Sequence, residues 1–348
     1  MKKIFFILLA VVIIVGVVAA WLMFGSATNF SESKKNLFVY TGKANKASVM
    51  KFIKEKNLLK NPGMFEWMSE QMGVWNRLKP GRYEIKKGES LLNFTRTLRN
   101  NRQSPVNLVI NKLRTKEDLS QLIAKNFEAD SSDIIEFIND DDSIAKLEVN
   151  TNTFMTIVIP NTYTMFWNTS PGKIFKRLKS EQENFWQKNE RLQKAQKLGF
   201  STDQVYTIAS IVEEETNKQD EKGNVASVYI NRYRTGMRLG ADPTVKFALK
   251  DFGLKRIYEK HLQVESPYNT YKVTGLPPGP ICTPSSKTID AVLNSPKTDY
   301  MYFVAKSDFS GYHTFSTTYT EHLQHAKEYQ NKLDELILRK QNAAKNAL

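Results

Sequence analysis

The sequence holds a single cysteine, Cys282, in 348 residues, so no internal disulfide forms, and this thiol lies too far along the chain for N-terminal lipid attachment. Neither a G-x-S-x-G elbow nor a P-loop occurs, which removes the usual signatures of serine hydrolases and nucleotide-driven phosphoryl transfer. Histidine is scarce. His313, His322 and His325 are spaced across a strand and a helix with no supporting cysteine or acid cluster, so neither a metal nor a cofactor is expected. No internal repeat is evident. Hydrophobic residues at 41%, aromatics at 11% and charged residues at 25% exclude collagen-like, mucin-like and low-complexity chains and supply a sizeable core. The length favours two domains, or one large domain with an appendage.

Acidic residues are the minority charge, 36 against 50 basic, and the resulting +14 is unevenly placed. The first hundred residues carry 17 basic and six acidic side chains, leaving a net charge of only +3 for the remainder. A basic front module points to an anionic surface: lipid headgroups, an acidic polymer or nucleic acid. The stretch Ile4 to Phe24 is 21 residues without a charge, preceded by Lys2 and Lys3. At ~1.5 Å per helical residue it spans a ~30 Å hydrocarbon core, and it is longer than the ~7–15-residue apolar region of a signal peptide. The expectation is a retained single-pass anchor contacting membrane lipid. By the positive-inside rule, residues 1–3 stay in the cytoplasm and the remainder crosses to the outer side of the plasma membrane. Nucleic acid is therefore not an expected partner.

Residues 25–36 are polar and read as a linker. From Leu37 to Ser104 the pattern is a short strand (LFVYTG), two helices (SVMKFIKEKNLL, NPGMFEWMSEQMGVW), a Pro80–Gly81 turn, a strand at Arg82–Ile85 and a helix capped by Ser90. Short α+β modules of this kind often bind glycans. Further on come a strand (SPVNLVI), an Asp-rich helical stretch from Lys116 to Lys146, an aromatic loop from Pro160 to Pro171 and one long helix to Gly199. A corner at Asp242-Pro243-Thr244, a stiff loop through SPYNTYKVTGLPPGPICTPS, a hairpin around Asp308–Gly311 and a polar C-terminal helix follow.

Thr202–Asn217 reads as a helix beginning at an N-cap candidate and ending in three glutamates. Advancing about 100° per residue, the apolar stripe of Val205, Ile208, Ala209 and Val212 lies nearest to Glu215, while Glu213 and Glu214 point elsewhere. A carboxyl beside a buried face is partly desolvated, which raises its pKa and suits it to act as a general acid. The bland alternative is that all three glutamates solvate a helix end.

The ordered series ASIVEEET, VASVYINRYRTGMRLGADPTV, SPYNTYKVTGLPPGPICTPS and YFVAKSDFSGYHTFS resembles the membrane-anchored endolytic murein transglycosylases of the YceG-like family, and KPGRYEIKKGESL resembles that family's LysM-like module. The resemblance implies an α+β fold with a transmembrane helix (4–24), a LysM-like module (37–104) and a larger catalytic domain (105–348). It implies cleavage of the β-1,4 bond between N-acetylmuramic acid and N-acetylglucosamine within peptidoglycan strands, leaving 1,6-anhydro ends. The family's catalytic glutamate, the second acid of an E-x-E pair, corresponds to Glu215. Glu213 and Asp242 are the reserve acids if the reaction is hydrolysis. Tyr268, Asn269, Thr270 and His313 are the expected substrate-binding residues. Peptidoglycan synthases are the implied partners, and a noncatalytic, membrane-anchored glycan-binding scaffold for those synthases is the rival reading. The chain departs from the family at Pro160-Asn161-Thr162-Tyr163, where Pro-Asp-Thr-Tyr is common, and at His322-Leu323, where His-Asn is common.

Overall fold

The structure, a computed structural model, describes residues 2–346. It is a mixed α+β chain. Helix α1 (Lys2–Phe24) is apolar from Lys3 to Phe24, exposes its side chains and is long enough to cross a membrane. Beyond it the chain divides into two compact units, one of residues up to 108 with 123–130 and 163–170, the other of 109–122, 131–162 and 171 onward.

The first unit follows the order β1 (Lys34–Val39), α2 (Lys46–Glu55), α3 (Pro62–Gln71), β2 (Gly81–Lys86), α4 (Leu91–Arg99). Strands β1 and β2 pair antiparallel with Leu37 opposite Tyr83. Alternation buries Leu37 and Val39 from one strand and Tyr83 and Ile85 from the other, against Val49, Ile53, Phe65, Phe94 and Leu98 of the helices. Each helix begins where a side chain captures an orphan N–H: Asn45 for α2, Asn61 for α3, with Pro62 preset at its first position, and Ser90 for α4. The polar stretch expected to be a linker is instead laced onto this unit. Ser26 bridges Ser90, Thr28 bridges Leu59, and Gly88 N–H donates to Thr28 Oγ1 at 2.8 Å, so β1 starts three residues earlier than expected. Its polar composition reflects backbone and hydroxyl pairing to turn edges rather than freedom.

Strand β3 (Pro105–Val109) pairs with β4 (Thr162–Phe166). That second strand lies where an aromatic loop was expected. Its Thr, Tyr and Phe residues are strand formers, and Tyr163 turns inward.

The second unit is mainly helical: α5 (Lys116–Asn126) enters it, followed by α6 (Ser131–Asn139), α7 (Asp141–Ala145), α8 (Pro171–Gln187), α9 (Arg191–Leu198), α10 (Thr202–Glu215), α11 (Lys222–Arg234), α12 (Asp242–Leu249), α13 (Glu259–Leu262) and α14 (Ser286–Leu293). The hairpin β5 (Tyr302–Ala305), β6 (His313–Ser316) and helix α15 (Tyr319–Asn346) complete it. The single long helix expected after Pro171 is two, because Asn189 and Glu190 adopt left-handed φ angles of 57°. The break turns Arg191 inward, where its guanidinium grips Asp290 of α14 at 2.7 and 2.9 Å and covers Phe185. The Asp242-Pro243-Thr244 corner opens α12, with proline in the first turn where no N–H is needed.

Helix α10 is the hub. Ser201, one residue before the expected cap, forms a capping box with Gln204, and eight consecutive residues from Val205 to Val212 are buried among α9, α11, α12 and α14. The proline-rich loop docks on it: Ile281 N–H donates to Ser210 Oγ at 3.0 Å, and the buried Cys282 thiol donates to Ser210 O at 3.3 Å. Burial pushes that thiol well above its ordinary pKa, so it is held as an inert donor. Gly279 of the same loop passes so close to Asn152 that a Cβ would sit 2.0 Å from its carbonyl oxygen. Gly279→Ala is therefore expected to shift the loop and destabilise the protein by about 1–3 kcal/mol, measured as a lowered midpoint in urea unfolding of the full chain in detergent.

Candidate active site

Three glutamates in the last turn of α10 oppose the helix dipole, so each needs compensation. Successive side chains leave the helix about 100° apart and reach three different environments. Glu213 faces α11 and α14: its carboxylate accepts from Lys222 Nζ at 2.7 Å and from the hydroxyls of Thr288 and Ser285. Glu214 is gripped by Lys112 and Arg114, each at 3.0 Å. Burial alone would raise its pKa, but the Arg114 and Lys112 contacts outweigh that and hold it below the usual range.

Glu215 receives no cation at ion-pair distance among the described residues. Its partner is the fully buried Tyr229 of α11, whose hydroxyl donates to Glu215 Oε1 at 2.5 Å. Loss of solvent dominates, and the negative charge of Asp242 adds to it. The Tyr229 hydrogen bond and the more distant Lys246 and Arg232 act in the opposite direction, and the carboxyl settles at a pKa of about 7. The same burial and the adjoining carboxyl push the Tyr229 phenol well above its ordinary value, so at neutral pH it is a donor.

Glu215 and Tyr229 open onto a cavity of about 530 Å³, also lined by Arg232, Arg238, Asp242, Tyr271, the β5 strand, His313, Tyr319 and His322. Tyr271 donates to Asp242 Oδ1 at 2.6 Å. Arg232 is pinned by two backbone carbonyls, Met301 O and Leu239 O, each at 2.6 Å. Gly240, at φ +58°, leaves room for that guanidinium, whose Nη1 lies 3.4 Å from where a Cβ would stand. His313 is held from behind by Glu221, which accepts its backbone N–H at 2.7 Å and lies 3.1 Å from Nδ1.

Of the residues expected from sequence, Glu215, Asp242 and His313 share this cavity, while Glu213 is turned away into its ion pair. Tyr268, Asn269 and Thr270 do not line it. Asn269 and Thr270 are fully buried, and their polar groups are spent on the scaffold. The Asn269 amide donates to Leu262 O and Val264 O, and Thr270 Oγ1 accepts from Ala241 N at 2.9 Å and meets Thr244 Oγ1. Tyr268 packs its ring on Phe247 at 4.7 Å between centroids. These groups instead position the next residue, Tyr271, beside Asp242. Tyr271, Tyr302, Arg238 and Tyr319 had no signal in the sequence beyond lying in or near the four motifs, whereas Tyr229 and Arg232 were visible as one face of α11 at 3–4 spacing.

A YceG-like protein from Listeria monocytogenes has a crystal structure that aligns with this chain at a TM-score of 0.57 and 26% identity, covering 84% of this chain and 99% of that one. Two curated relatives are each named endolytic murein transglycosylase. The Bacillus subtilis protein is 42% identical over 132 residues, 37% of this chain and 35% of the relative. A Streptococcus pneumoniae protein is 34% identical over 110 residues, 30% of this chain and 20% of the relative. The matched region thus spans about a third or less of the length of these relatives. The profile of the YceG-like family runs from residue 39 to 328, through most of both units, and the chain belongs to that family.

Proposed function

We propose that this protein is an endolytic lytic transglycosylase that cuts the N-acetylmuramic acid–N-acetylglucosamine β-1,4 bond inside peptidoglycan strands and leaves 1,6-anhydro-muramyl ends. The observation that carries this reading is Glu215: a carboxyl with no cation at ion-pair distance among the described residues, with a pKa of about 7, open to a cavity in a protein whose curated relatives bear that activity's name. At neutral pH a large fraction of such groups carries a proton. Because Tyr229 occupies Oε1, the other oxygen is free to meet the substrate. The proton passes to the glycosidic oxygen as the C1–O bond breaks, and N-acetylglucosamine departs with a restored hydroxyl. The carboxylate so formed takes the proton of the muramyl C6 hydroxyl, whose oxygen closes on C1, and the acid is regenerated. No water is consumed, so one carboxyl serves both steps, unlike the paired carboxylates of glycoside hydrolases. Asp242, fixed by Tyr271, supplies negative charge on the cavity wall while the sugar carries positive charge.

In this reading α1 anchors the chain in the bacterial plasma membrane, with residues 1–3 cytoplasmic and the rest on the outer side. Residues 37–104 act as a LysM-like module and 105–348 as the catalytic domain. The basic front module lies near the anionic headgroups, and the enzyme releases or terminates strands as peptidoglycan synthases, its partners, polymerise them.

Glu215→Gln keeps the side chain's size and a hydrogen-bond acceptor for Tyr229 but removes the proton, and cleavage is expected to fall about 10²–10⁴-fold. Mass spectrometry of digested peptidoglycan reads the outcome. Anhydro ends from the wild type alone support the proposal, reducing ends mean hydrolysis and bring Asp242 or Glu213 forward, and no cleavage by the wild type favours the scaffold.

The same substitution has a signature independent of substrate. Between the unfolded carboxyl pKa near 4.5 and the folded value of about 7, the native state holds a proton that the unfolded state has released. Stability from this group is therefore full below the unfolded value, declines as pH rises through that window, and is flat above it. Glu215→Gln is expected to gain about 2–3 kcal/mol relative to wild type between pH 4 and pH 8, after allowance for partial exposure, measured by denaturant unfolding across that range.

Tyr229→Phe removes the one hydrogen bond that favours the charged form. The alkaline limb of the rate profile, near pH 7 in the wild type, is expected to move upward while kcat falls about tenfold; an unmoved limb would mean that Tyr229 does not tune the acid.

A further inference from the structure

The start of α15 is built with more care than a polar terminal helix requires. Thr318 and Glu321 form a reciprocal cap: Glu321 N–H donates to Thr318 Oγ1 at 3.2 Å, and Glu321 Oε2 accepts the N–H groups of Thr317 and Thr318 at 3.1 and 3.2 Å. This fixes the first helical turn, and Tyr319 and His322, three residues apart, fall on one face. Both meet Tyr302 of β5. The Tyr302 ring stacks on His322 at 5.2 Å and 22°, and its centroid is 5.7 Å from that of Tyr319. Tyr319 and His322 lie 6.2 Å apart at 32°.

The cluster is unlike a core. Tyr319 is 59% exposed, and all three rings line the cavity that holds Glu215. Among the described residues the hydroxyls of Tyr302 and Tyr319 have no hydrogen-bond partner, and neither does the buried Nδ1 of His322. Burial, followed by the charge of Arg232, holds the His322 imidazolium below its usual range, so the ring is neutral at pH 7. Flat apolar faces edged by unspent hydroxyls match a sugar ring, which offers C–H groups on its faces and hydroxyls around its rim.

Placement ties this platform to the acid. On α11, Tyr229 touches Glu215, and Arg232, three residues on, sits over the Tyr302 ring with its guanidinium carbon 5.2 Å from the centroid. Those three residues advance about 4.5 Å along the helix, a step comparable to the length of one sugar ring.

We propose that Tyr302, Tyr319 and His322 form a stacking subsite that seats a sugar of the glycan strand next to the one cleaved, and so favours cuts within strands over cuts at their ends. The proposal rests on the reading of Glu215 as the acid of a glycan-cleaving site. It assigns a role to His322 and to Tyr319, both outside the expected binding set.

The test uses the full chain in detergent with uncross-linked, fluorescently end-labelled peptidoglycan strands. Binding is measured in the Glu215→Gln background, where strands are expected to survive. Tyr319→Ala is expected to weaken binding about tenfold, whereas Tyr319→Phe, which keeps the face, stays within about threefold. In the otherwise wild-type protein, Tyr319→Ala raises KM with little change in kcat and shifts products toward cuts near strand ends. Unchanged strand affinity in Tyr319→Ala overturns the subsite. Weakened affinity in a protein whose wild type cleaves nothing keeps the subsite and removes the transglycosylase reading, so the two failures are distinguishable.

Discussion

A largely desolvated carboxyl with no cation at ion-pair distance among the described residues is the constraint around which the second unit is arranged. Placing Glu215 at the end of α10 costs free energy through desolvation first, and then through the charge of Asp242 and the negative end of the helix dipole. The fold relieves the neighbouring glutamates rather than Glu215. Glu213 is neutralised by Lys222 and the α14 hydroxyls, and Glu214 by Lys112 and Arg114. What remains at Glu215 is a single neutral donor, Tyr229, strong enough to orient the group and too weak to restore its ordinary pKa. The rigid burial of α10 from Val205 to Val212 is what allows an unfavourable group at its end to persist.

The polar residues of the surrounding loops divide by function in a way their chemistry alone does not reveal. Asn269, Thr270, Thr244 and Ser210 are saturated by backbone groups or one another, and they hold the proline-rich loop to α10 and α12. Groups with spare capacity on the cavity include the phenols of Tyr302 and Tyr319, Nδ1 of His322, the far edge of Arg232 and the second oxygen of Glu215.

Much of the local architecture was legible in the sequence because it rests on short-range rules. The Ser90 cap, the Pro80–Gly81 turn, the period of α10 and the hairpin near Asp308 all depend on residues within one turn of one another. The direction of Glu215 followed from helical phase alone. What escaped depends on distant partners. The break at Asn189–Glu190 is rewarded only by Arg191 reaching Asp290 about a hundred residues later. The stretch 25–36 reads as a linker until its backbone finds Leu59, Ser90 and the β2 strand. Tyr268-Asn269-Thr270 has the composition of a sugar-binding wall, but a one-residue shift in register makes Tyr271 the side chain that faces the cavity.

The arrangement also bears on why a single acid would suffice. A hydrolase needs a second carboxylate free to activate water or attack C1. Glu213 is locked into an ion pair outside the cavity, and Glu221 is occupied by His313. Asp242, the remaining carboxylate on the cavity wall, already accepts the Tyr271 hydroxyl. To serve as a base for water it would need an oxygen turned toward the sugar while it keeps that bond. A reaction whose nucleophile is supplied by the substrate's own C6 hydroxyl makes no such demand. Glu215, its pKa raised to about 7 by burial, can both give a proton and take one back near neutral pH, the property that a two-step, one-carboxyl cycle would require.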